Sequence, residues 1–189
     1  MQNPNNNTYF LFVEDVSNLS IKPNSLEHAY VAMLNDNLSA SQTVFSNIDS
    51  PRGHWGYSLT QILQGNLINI PTFFQIRNFF EIDLNFLIKN EKIDYIEYLL
   101  GALEILSNVN PEIYKYAGRT MLANNLEVAA LHYLESAKIT LYNDAELHFM
   151  LANYYKKHND INNVKYYVQE CLKFAPNYVP ALKLLENLA

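Results

Sequence analysis

Residues 111–144 read PEIYKYAGRTMLANNLEVAALHYLESAKITLYND, and residues 145–178 read AELHFMLANYYKKHNDINNVKYYVQECLKFAPNY. Laid over one another at an offset of 34 residues, the two stretches agree in side-chain size as well as in polarity. Ala117 falls on Leu151, Gly118 on Ala152, Ala130 on Val164, Leu134 on Val168 and Ala137 on Cys171. Glu112 and Glu146, Asn125 and Asn159, and Tyr133 and Tyr167 are identical pairs. Asn110 and Asp144, both residue types that cap helix N-termini, keep the same offset. Apolar residues return every three or four positions on either side of a short polar break, which predicts two helices per stretch. Breaks this short force neighbouring helices to run antiparallel.

Self-similarity at this period marks a repeat architecture. The pattern resembles the tetratricopeptide repeat, which runs aromatic-x2-Leu-Gly-x2-Tyr, then Ala-x3-Phe, then Pro. Here the matching residues are Tyr114-x2-Ala117-Gly118-x2-Met121 with Ala130-x3-Leu134, then His148-x2-Leu151-Ala152-x2-Tyr155 with Val164-x3-Val168 and Pro176. One step back, Phe80, Leu84, Leu87, Ile96, Leu100 and Leu103 hold the apolar positions. Asp83 stands there where Leu is expected, and Leu84 and Ile96 are bulky where small residues belong, so a divergent pair with a wider interhelix distance is expected. Before residue 70 the register is lost, apart from an echo at Trp55-x2-Ser58-Leu59.

The resemblance implies an all-α fold, an α-solenoid of antiparallel helix pairs closed by a C-terminal capping helix. The expected organisation is one body over residues 1–189. It comprises divergent helices to residue 70, a degenerate repeat at 71–110, repeats at 111–144 and 145–178, and the cap at 179–189. In this family the first helix of each pair lines a concave groove for extended peptides or partner helices. Carried onto matching positions, the groove residues are Lys115, Arg119, Leu122, Phe149, Asn153, Lys156, Lys157 and Lys183. Some family members grip a terminal carboxylate with Lys, Asn and Arg at such sites, and charge-assisted hydrogen bonds are the physical reason. Arg119 stands where that pattern has Asn. The competing reading makes these cations ordinary solvated charges balancing Glu112, Glu146 and Asp160.

Upstream, Asn24 or Ser25 caps a helix to about Asn35, and Leu38 to Ile48 makes the next. Ser50-Pro51 starts a helix that Gly65-Asn66 ends. Pro71 opens a helix to about Asn90, and one helix spans Asp94 to Ser107. The remaining helices are expected over 111–124, 126–141, 145–158, 161–174 and 178–188. The head to Asn7 reads as disordered, and Thr8 to Leu19 as a helix, with a strand over Tyr9 to Val13 as the competing reading.

Thirteen basic against 19 acidic side chains give a formal charge of −6, with no basic block, which argues against nucleic acid or an anionic membrane as partner. One cysteine, Cys171, precludes an internal disulfide and a cysteine zinc cage. The run Tyr9 to Val13 is too short for an export signal or a membrane span, so a cytoplasmic protein is expected. His28, His54, His132, His148 and His158 lack metal-ligand spacing, and His148, at an aromatic repeat position, is expected to pack. No phosphate loop or nucleophile elbow appears, and the chain reads as a non-enzyme without cofactor.

Ser50 to Gly56 admits two readings. Arg52, His54 and Trp55 are presented to a partner, or Trp55 anchors the core in phase with Leu59 and Ile62. The expected function is that of an adaptor binding a protein or peptide, with an acidic segment as a candidate. Self-assembly as a homodimer and an accessory role beside an enzyme are the alternatives.

Overall fold

The computed structural model describes residues 22–188, so the expectations for the polar head and for Thr8 to Leu19 lie outside the described residues. Among the described residues the fold is all-α, with eleven helices and no strand. The chain divides into two compact units, residues 1–113 and 114–189.

In the first unit, α1 (Leu26–Leu34), α2 (Leu38–Ser46) and α3 (Pro51–Leu63) pack successively. Ser25, Asn37 and Ser50 cap them, their side-chain oxygens accepting the N–H groups of His28, Ala40 and Gly53. Helix α3 approaches α2 without a Cβ in the way. A methyl group at Gly56 would run into the Phe45 ring, and one at Gly53 into the Ile48 carbonyl. Helix α4 (Phe73–Lys89) starts two residues later than Pro71 suggested, because Thr72 and Gln75 form a reciprocal capping box. The expected helix from Asp94 to Ser107 is two, α5 (Ile93–Gly101) and α6 (Leu103–Ser107). The break falls at Gly101 and Ala102, where the Ala102 N–H is shared between the carbonyls of Tyr98 and Leu99. Trp55, Phe45, Phe80, Met33 and Leu59 are the largest side chains sealed in this unit's core.

In the second unit, α7 (Ile113–Ala123, beginning at the boundary residue) and α8 (Glu127–Ala137) precede the pair α9 (Ala145–Lys157) and α10 (Ile161–Phe174) and the terminal α11 (Val179–Glu186). Gly118 lies where α7 meets α8: a Cβ there would stand 2.7 Å from Leu134 Cγ and 3.2 Å from the Ala130 carbonyl oxygen. Ala130, Ala137 and Ala152 are fully buried, as small residues at helix contacts should be. Leu134, Leu147, Leu151, Val164, Val168 and Leu184 fill the space between helices. Helix α8 stops at Ala137, short of the expected Leu141, and the chain continues as turns whose Thr140 and Leu141 N–H groups both return to the Ala137 carbonyl.

The repeat is written in the backbone. Glu91, Asn125 and Asn159, each 34 residues after the last, adopt the left-handed conformation with φ of 53°, 59° and 59°. In each case the next residue's N–H returns to the carbonyl five positions before it: Lys92 to Leu87, Leu126 to Met121, Asp160 to Tyr155. This is the Schellman stop, and it turns each first helix into its second. Asp36 makes the same turn after α1, outside the 34-residue register.

Candidate functional site

The groove residues lie on α7, α9 and α11, and the structure sorts them into two groups. Lys115 is buried, and its Nζ donates to Asp144 Oδ2 at 2.6 Å and Glu146 Oε2 at 3.2 Å. Burial opposes ionisation of Asp144, but the Lys115 ammonium and the Leu147 N–H outweigh it and hold the carboxyl below its ordinary value. Asp144 also caps α9 through that Leu147 N–H at 3.0 Å, so Lys115 is tied into a helix start. Arg119 reaches the other oxygen of Glu146 at 2.9 Å and lies over the Tyr116 ring. Lys157 is drawn away to Glu127, at the start of α8, where His158 also sits 3.1 Å from the carboxylate. Phe149 and Leu122 are half-buried against the core, Phe149 edge-on to Tyr178 with centroids 5.2 Å apart.

Asn153, Lys156 and Lys183 form the second group. All three are exposed, and neither lysine has an ion pair among the described residues. The repeat register could assign these side chains to matching helix positions. It could not show that Lys115, Arg119 and Lys157 are engaged by carboxylates from other helices.

His148 is a packing residue. Its ring stacks on Phe174 at 5.8 Å and on Tyr167 at 6.2 Å, and Nε2 lies 2.8 Å from the Tyr142 carbonyl oxygen. Burial pushes the Tyr167 phenol up to about 12, although Lys138 works against that shift. Cys171 is fully buried, and burial, with the Asp144 charge nearby, raises its thiol.

In the first unit, the segment Ser50 to Gly56 resolves in favour of the core. Trp55 has no exposed surface and Arg52 almost none, so the reading that presents these two to a partner is overturned, while His54 is exposed. The reason is Asp83. This wholly buried carboxylate accepts from Arg52 Nη2 at 2.6 Å, Trp55 Nε1 at 2.5 Å and the Tyr30 hydroxyl at 3.0 Å. The Arg52 guanidinium also lies 4.8 Å from the centroid of the Phe79 ring.

Sequence reasoning missed a cleft of about 820 Å³ between the end of α3 with its following loop and the α5–α6 segment. Its one sequence signal is the long connection 64–72, the widest gap between described helices. That loop leaves Ile68 and Ile70 exposed, and Phe74 beyond it is 68% exposed. No described helix is long and apolar enough to cross a membrane, and no described group of three His, Cys, Asp or Glu could hold a metal ion.

No protein-family model matches the chain, and no curated protein matches it significantly. Among solved structures it is similar to the crystal structure of the APC/C hetero-tetramer Cut9-Hcn1, with a TM-score of 0.47 and 16% identity. The likeness covers 86% of this chain, which spans only 35% of the length of that one. The helical-repeat assignment therefore rests on the recurring turn and the nested small residues.

Proposed function

We propose that the chain is a protein-interaction scaffold whose second unit binds an acidic segment of a partner along the first helices of its repeats. The observation that carries the reading is the contrast among the groove cations. Lys115, Arg119 and Lys157 are engaged within the fold, whereas Lys156 and Lys183, like the amide of Asn153, are exposed, and neither lysine has a carboxylate partner among the described residues. A helical repeat leaves polar side chains of its first helices on the surface because its own apolar faces are used up in stacking. An incoming carboxylate would meet charge-assisted donors there.

The test follows from that contrast. Reversing Lys115 would damage the α9 start, so the informative variant is Lys156→Glu with Lys183→Glu. A fluorescein-labelled glutamate-rich peptide with a free C-terminus should bind the wild-type chain and lose about tenfold in affinity with the double variant. Circular dichroism should stay unchanged. Equal affinity for both proteins would remove this face as the binding surface. A second reading, self-association, draws on Val179 and Leu182, which are exposed on α11 away from the buried Ala181 and Leu184. Light scattering tests it, since a monomer at high concentration rejects it.

A further inference from the structure

The cleft of the first unit is chemically the inverse of the groove. Its lining mixes apolar and polar side chains: Ile62 and Ala102 are almost fully buried, while Tyr98 and Ile105 are each about half exposed. Gly101 lies between them in sequence, at the end of α5, and a Cβ added there would meet nothing within 4 Å. The helix backbone is thus open to close approach at the middle of the cleft. Asp94 and Glu97 line the same wall, one on each side of a helical turn, both exposed and neither with an ion pair among the described residues. No Lys, Arg or His lines the cleft. The nearest lysine in sequence, Lys92, is held 2.7 Å from Asp36 and is not available to neutralise them.

We propose that this cleft docks a basic, apolar segment of a partner protein. An arginine or lysine side chain of that segment lies over the Tyr98 ring with its head between the Asp94 and Glu97 carboxylates. An adjacent aliphatic side chain passes Gly101 and settles against Ile62 and Ile105. Three properties of the cleft select this occupant. Its volume suits two or three side chains rather than a whole helix bundle. Its uncompensated charge is negative, and an aromatic face beside carboxylates favours a cation carried on an apolar stem. A peptide of acidic character is repelled by the same wall.

The probes are two fluorescein-labelled peptides of equal length, one alternating leucine with arginine and one alternating leucine with glutamate, titrated against the full chain by anisotropy. The arginine peptide is expected to bind and the glutamate peptide to fail. Asp94→Asn with Glu97→Gln should weaken the arginine peptide about tenfold, and Gly101→Leu should abolish its binding by filling the cleft. All three positions are exposed, and Gly101 has room for a side chain, so both variants should keep the wild-type circular dichroism. Lys156→Glu with Lys183→Glu should not weaken this affinity, which separates the cleft from the groove of the second unit. Equal binding of the two peptides would overturn the proposal, as would full affinity in either cleft variant. Sedimentation in which the wild-type chain dimerises and Gly101→Leu is monomeric would assign the cleft to a second copy of the chain and reject the peptide.

Discussion

Asp83 shows how a single residue can be misfitted to a pattern and yet central to the structure. In the register of the repeat it stands where an apolar side chain belongs. A charge at such a position costs several kcal/mol of desolvation unless it is paired and fully hydrogen-bonded. The pairing comes from Arg52, Trp55 and Tyr30, 31, 28 and 53 residues away in sequence, which no local spacing could connect. Trp55 was legible as a core anchor from its phase with Leu59 and Ile62; its indole N–H donating to a carboxylate was not. Removing Asp83 alone strips the buried guanidinium of this carboxylate and the indole of its acceptor. Asp83→Leu should therefore lower the unfolding free energy by about 3–5 kcal/mol. Arg52→Met combined with Asp83→Leu replaces the pair by apolar side chains and should recover most of that loss. Urea denaturation of both variants checks the pair. A double variant no more stable than Asp83→Leu would show that the network contributes more than charge neutralisation.

At the scale of helices, the small-residue positions were the most legible feature, and two helical glycines have opposite consequences. Gly118 is needed because Leu134 and Ala130 occupy the space a side chain would take. Gly101 has no such neighbour and carries only the low helix propensity of its type. Gly118→Ala should cost about 1–3 kcal/mol through overpacking, despite the gain in propensity. Gly101→Ala should instead stabilise the chain by about 0.5–1 kcal/mol. Thermal unfolding that moved both variants in the same direction would refute this account of the α7–α8 contact. The helix ends were legible where a side chain does the capping, as at Ser25, Ser50 and Asp144. They were less so where the backbone does it. Asn125 and Asn159 are residue types that tolerate a left-handed turn, but Glu91 makes the same turn without that preference, imposed by the helices it joins.

For the whole molecule, the sequence fixes the sum of charges but not their pairing, and binding depends on both. The net charge is −6, yet the cations Lys156 and Lys183 and the anions Asp94 and Glu97, none of them ion-paired among the described residues, create local fields of opposite sign in different units. How far each field reaches is set by ionic strength. At about 0.01 M salt the screening length is about 30 Å, so an approaching peptide senses the net negative charge of the entire chain. At about 0.15 M it is about 8 Å, and only the nearby side chains act; at about 1 M it is about 3 Å and both fields are gone. An acidic peptide at Lys156 and Lys183 is opposed by the net charge and attracted by these nearby lysines. Its affinity should therefore be highest at intermediate salt. A basic peptide in the Asp94–Glu97 cleft is attracted at every range, so its affinity should fall steadily as salt rises. Anisotropy titrations of the two peptides across these concentrations read the difference directly. If the acidic peptide also weakened steadily from the lowest salt upward, the net charge would not be opposing its approach, and these lysines would not act as a local exception on an acidic surface.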